Sequence, residues 1–170
     1  RVITPGTVLD EKILRAGSSN YILSITQNNN NTFGLAYSDI STGELSVLEV
    51  YSTSDLENEV VTINPVEIIM PTALKEVSGV VEAASGFYIS YLDTDYYKQS
   101  NINEAIFSQF GIKSLLGIGI SEDAAYVNAL GALLIYIRRT QRSSLGHIVE
   151  VHQETPSNYM SLDKSTMRSL

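Results

Sequence analysis

Three stretches of the chain alternate apolar and polar or small residues with a period of two. Tyr21, Leu23 and Ile25 alternate with Ser24 and Thr26 in the run Tyr21 to Gln27. Thr32 to Ile40 sets Phe33, Leu35 and Tyr37 against the small Gly34, Ala36 and Ser38, and Glu44 to Tyr51 sets Leu45 and Val47 against Leu48 and Val50. The turn-forming stretches Asn28 to Asn31 and Ser41-Thr42-Gly43 separate them, which predicts three strands in an antiparallel meander. The period then becomes helical. Ser54 with Glu57 has the form of a capping box, Leu56, Val60 and Ile63 recur at helical spacing, and Asn64-Pro65 ends the segment. Val66 to Met70 predicts a buried strand stopped by Pro71, Thr72 to Ala84 a helix, and Phe87 to Leu92 a fifth strand after Gly86. Asn103 to Phe110 predicts a helix ended by Gly111. The longest helix is expected to start at the N-cap Ser121, with Glu122 and Asp123 at the positive end of its dipole, and to finish at Gly146. Its stripe of Val127, Leu130, Leu134 and Ile137, widened by Ala129, Ala132 and Leu133, predicts cover on most sides. His147 to Tyr159 reads as polar and irregular.

The order of these elements constrains the topology. The first three strands form hairpins, whereas the later two are reached through helices and must pair in parallel. The expected fold class is α/β: a ribonuclease H-like mixed sheet of about five strands with helices on its faces.

Composition narrows the function classes. At 170 residues the chain holds one domain, or one domain and a piece of a second. It contains no cysteine, which fits a reducing compartment, and the expected location is cytoplasmic. No run of about 18 uncharged apolar residues offers a membrane span. Both ends read as cuts in a longer protein: Arg1 to Pro5 has neither an initiator Met nor an apolar leader, and Asp163 to Leu170 has the pattern of a helix just beginning. The formal net charge is −8; residues 131–170 carry five bases against three acids, so residues 1–130 carry −10. Such a surface repels a phosphate backbone. Arg138, Arg139 and Arg142 gather at the end of the longest helix, where compensation of the helix dipole explains them better than a phosphate site does.

The chain offers little to catalysis. A metal nuclease on a ribonuclease H-like sheet needs clustered carboxylates, and the first strand contains none, while Asp39, Glu44, Asp93 and Asp95 fall at strand ends or in loops. His147 and His152, five residues apart, would splay on any regular element and make a poor zinc pair. No Gly-x-Ser-x-Gly elbow and no Gly-x-x-x-x-Gly-Lys-Ser/Thr loop occurs, and Gly117-Ile118-Gly119 lacks the third glycine of a dinucleotide fingerprint, having Glu122 there. The expectation is no catalytic, cofactor-binding or metal residue in these 170 residues. A stand-alone degenerate ribonuclease H-like nuclease, or another soluble α/β interaction domain, is the alternative.

Several ordered motifs carry a resemblance. Arg1-Val2-Ile3-Thr4-Pro5-Gly6-Thr7 with Asp10-Glu11, then Phe33-Gly34-Leu35-Ala36 with Asp39-Ile40-Ser41-Thr42-Gly43, then Gln109-Phe110-Gly111, then Tyr136, Thr140-Gln141-Arg142 and His147-Ile148 together resemble the MutS mismatch-repair proteins. Met160, Leu162-Asp163, Thr166, Arg168 and Leu170 look like the opening of that family's core or lever domain, with Arg168-Ser169-Leu170 where Arg-Asn-Leu is usual. The resemblance implies a linker from the mismatch-binding domain over residues 1–13, a connector domain over 14–145, and a linker with the start of the core over 146–170. It further implies a dimeric parent that uses ATP and Mg, reads mismatched DNA through other domains, and docks a MutL-like protein on the connector. The fragment itself is expected to be monomeric, with the residues after about 150 poorly anchored. The candidate docking face is the polar side of the helix before Gln109-Phe110-Gly111, comprising Asn101, Asn103, Glu104 and Ser108.

Overall fold

A computed structural model describes residues 20–28, 31–141, 146, 148 and 150–156. The meander forms as the alternation predicts: β1 (Tyr21–Gln27), β2 (Phe33–Asp39) and β3 (Glu44–Val50) pair antiparallel in unbroken register, Tyr21 opposite Asp39 and Asp39 opposite Glu44. Gly43, at φ 80, supplies the left-handed residue of the second turn, and the Asp39 carboxylate accepts from the Ser41 backbone N–H at 2.9 Å within it. Beyond α1 (Thr53–Ile63), β4 (Glu67–Pro71) pairs in parallel with β1. After α2 (Ser78–Ala83), β5 (Ile89–Leu92) pairs in parallel with β4. Two more helices follow, α3 (Gln99–Phe110) and α4 (Tyr126–Thr140). A two-residue strand, β6 (His152–Gln153), then adds in parallel to β3, giving one sheet in the order β5-β4-β1-β2-β3-β6. This is the expected ribonuclease H-like mixed sheet, widened by a sixth strand.

Alternation divides the core between the two faces of the sheet. Ile22, Ala36, Leu45, Val47 and Ile69 pack under α3 and α4, while Leu23, Ile25, Phe33, Leu35, Leu48, Val50, Ile68 and Met70 pack under α1 and α2. α4 is buried almost all round, with Leu130, Leu133 and Ile137 fully so, as its broad apolar stripe requires.

Helix boundaries depart from the sequence expectations in four places. α1 is capped by Ser52, not Ser54: Ser52 keeps an extended backbone where β3 ends, and its Oγ accepts from the Asp55 N–H at 3.0 Å. The stretch 72–84 breaks at the extended Val77 into a 3-10 turn (Thr72–Glu76) and α2, which lets Leu74, Val80 and Ala83 all reach the core. α3 begins at Gln99, four residues before Asn103, because a 3-10 turn (Thr94–Tyr97) capped by Asp93 delivers the chain there. α4 begins at Tyr126 instead of near Ser121, whose Oγ caps only a local turn through the Asp123 N–H at 3.3 Å, and it ends at Thr140 rather than running on to Gly146. His152 lies in β6, in the stretch expected to be irregular. Arg142, His147 and the terminal stretches 1–19 and 157–170 lie outside the described residues.

Candidate docking face on the α3–α4 side

The seat of α4 is built from one cross-strand row. Thr26 on β1, Gly34 on β2 and Glu49 on β3 are neighbours in the register and share the face under α4. Glu49 accepts from the Ala125 N–H at 2.5 Å, Thr26 donates its hydroxyl to the Ala125 carbonyl at 3.3 Å, and Gly34 leaves the space in which Ala125 sits. Ala125 has no capping side chain of its own, so a carboxylate 76 residues earlier in sequence satisfies the positive end of the helix. Burial, helped by the nearby Glu49 carboxylate, pushes the Tyr126 phenol up to about 12.

α4 in turn carries α3. Gly131 of α4 faces Ile102 of α3 so closely that a Cβ would lie 2.4 Å from the Ile102 Cγ2. This contact buries Ile102, Ala105 and Ile106 and turns the opposite side of α3 outward. Gly111, at φ 64, closes the helix with its N–H bonded to the Phe107 carbonyl.

The four candidate docking residues divide on this frame. Glu104 and Ser108 are exposed, four residues apart on the outward side, and Asn103 is half-buried beside them. Asn103 accepts from the Gln99 side-chain amide at 3.0 Å. Asn101 turns inward instead, donating its amide to the Asp95 carbonyl at 2.8 Å and tying the start of α3 to the turn before it. Glu104 forms an ion pair with Arg138 at 3.3 Å, both groups being largely solvated. Arg139 pairs with Asp95 at 3.5 Å and lies 4.6 Å above the Tyr96 ring. Arg138 and Arg139 are thus engaged with acids of the preceding elements as well as placed at the negative end of the dipole, and neither presents an unpaired cation to phosphate.

Among the described residues no three of His, Cys, Asp and Glu stand close enough to hold a metal ion. Glu67 is fully buried on β4, and its Oε2 accepts from the Tyr136 hydroxyl at 2.5 Å and the Ser90 hydroxyl at 2.7 Å, which spends it on pinning α4 and β5 to the sheet. His152 Nε2 lies 3.2 Å from Glu150 at the surface. Among the described residues no helix is long and apolar enough to cross a membrane.

Sequence reasoning missed an apolar surface on the opposite face. Val61, 62% exposed on α1, and Val81, 40% exposed on α2, line a cleft of about 480 Å³ with Phe87, Glu57 and Glu82. The signal was present: Val61 lies just off the buried stripe of Leu56, Val60 and Ile63.

Comparison with known proteins adds a family. The family described as MutS domain II matches residues 20–149. The DNA mismatch repair protein MutS of Listeria monocytogenes serovar 1/2a is 36% identical over 173 residues, covering 100% of this chain and 18% of its own length. The protein of the same name from Alkaliphilus oremlandii is 34% identical over 178 residues, with 100% and 20% covered, and that from Dehalococcoides mccartyi is 32% identical over 170 residues, with 100% and 19% covered. The chain therefore spans 18–20% of the length of these curated relatives.

Proposed function

The chain belongs to the MutS domain II family of DNA mismatch repair proteins, and from that premise we propose that it works as the connector of a larger MutS-type protein, docking a MutL-like partner through α3 and carrying no catalysis of its own. The observation that carries this reading is the outward side of α3. It is polar, it projects from a helix held rigidly on α4, and it includes Glu104 and Ser108, which the core does not use. A polar face of this kind suits a transient contact with affinity on the order of micromolar. ATP and Mg would act elsewhere in the parent, mismatched DNA would be read by its other domains, and the setting would be cytoplasmic.

The inward-facing Asn101 positions the helix in this reading, and Asn103, Glu104 and Ser108 make the contact. The double substitution Asn103→Arg with Glu104→Arg should weaken capture of a MutL-like protein, measured by titration or cross-linking. Reversing Glu104 also places two cations where the Arg138 ion pair stood, a surface change worth about 1 kcal/mol or less. Ser108→Arg leaves that pair intact and should weaken capture as well. Unchanged capture by both folded variants, with circular dichroism as the control, would remove α3 as the docking face.

A further inference from the structure

The cleft between α1 and α2 lies on the face of the sheet opposite α3 and α4, so it is independent of the docking face above. Its walls combine two exposed valines and the part-exposed Phe87 with two acids, Glu57 and Glu82. The whole stretch around it is one-sided in charge: from Ser52 to Tyr88 six acids stand against one base. That base, Lys75, lies 4.6 Å above the Tyr91 ring and is not among the cleft residues. Val61 and Val81 belong to two elements whose remaining apolar residues, Leu56, Val60, Ile63, Val80 and Ala83, are buried against the sheet. The valines are thus what these helices leave over for contact once their core duty is met.

We propose that this cleft is a second docking site, for a short segment of a partner protein in which one or two apolar side chains are flanked by Lys or Arg. Charge complementarity selects the occupant. A segment flanked by acids would meet Glu57 and Glu82 with like charge, and a purely apolar one would leave both carboxylates desolvated and unpaired at its rim. The volume suits a few side chains rather than a folded surface, and the small apolar area makes the contact weak on its own. With α3 facing the other way, the domain would hold one partner on each side of its sheet.

The full chain, labelled at its methyl groups, can be titrated with a capped peptide of two leucines flanked by lysines. Saturable shifts at Val61 and Val81, with affinity falling as salt rises, are the expected result. Glu57→Lys with Glu82→Lys should weaken binding about tenfold, close to 1.4 kcal/mol, as should a peptide with glutamate in place of lysine. Val61→Asp, at a solvent-facing position, should abolish the shift at Val81 without unfolding the domain. The absence of shifts at these methyls, or equal affinity for the charge-reversed pair, would overturn the proposal. So would concentration-dependent dimerisation that Val61→Asp abolishes, which gives the cleft to a second copy. The chain itself holds one run of that pattern, Lys12-Ile13-Leu14-Arg15, and shifts at Val61 and Val81 caused by Lys12→Glu with Arg15→Glu in the absence of peptide would also overturn the proposal, by giving the cleft to that run.

Discussion

Gly34 has no room for a side chain: a Cβ there would lie 2.1 Å from the Ala125 carbonyl oxygen, with backbone rather than a flexible side chain in the way. Gly34→Ala should therefore force α4 off its seat and cost about 3 kcal/mol, read as a lower urea midpoint. A midpoint within error of the parent would contradict the close approach. Glu49→Ala removes the acceptor for the Ala125 N–H and should cost about 2 kcal/mol, whereas Glu49→Gln, which still accepts, should cost less. Equal losses for the two would mean that the hydrogen bond is not what Glu49 contributes. The sequence marks Gly34 as a small residue on one face of a strand and as part of the motif Phe33-Gly34-Leu35-Ala36, neither of which says why it must be small, and it marks Glu49 not at all. Their roles depend on Ala125 arriving from far along the chain, a contact that neither residue's neighbours encode.

At the level of elements, the strands were the most legible part, because a period of two with one apolar set per face has a single burial solution. Both sides of β1 and β2 proved buried, and the alternation survived as apolar residues facing α1 and α2 against mostly smaller ones facing α4, with Ile22 the exception. Helix starts were less legible. Ser52 and Ser54 are both plausible caps in isolation, and the end of β3 decides between them. Ser52→Ala should cost about 1 kcal/mol and Ser54→Ala, inside the first turn, distinctly less; the reverse order in thermal melts would restore the sequence-based cap. β6 was illegible because two residues have no period, and the proposed docking face rests on the family resemblance around Gln109-Phe110-Gly111 rather than on any periodicity.

The tyrosines of these elements set an alkaline limit. Burial, aided by Glu49, raises the Tyr126 phenol from 10.0 to about 12, and burial raises Tyr37 and Tyr97 further still. A raised phenol is protonated in the folded state where the unfolded chain has already released its proton. The stability it contributes is full below pH 10 and is lost as pH rises through about 12. Urea midpoints should fall across that window and fall less in Tyr126→Phe; a midpoint flat to pH 12 would contradict the burial of these rings.

At the scale of the whole molecule, each face of the sheet has a contact to make under the proposed reading. Among the described residues one six-stranded sheet carries α3 and α4 on one side and α1 and α2 on the other, and the formal net charge of −8 disfavours a phosphate backbone electrostatically. The isolated chain should neither hydrolyse ATP nor prefer mismatched over paired DNA at physiological salt, and measurable specific mismatch binding would overturn the assignment of those tasks to other domains. The most direct test of the connector account is amide hydrogen exchange of the chain with and without a MutL-like protein. The account predicts slowed exchange over Gln99–Phe110, centred on Asn103 to Ser108, with Thr53–Ile63 unchanged. A complex that forms while the α3 amides exchange as fast as in the free chain would contradict it.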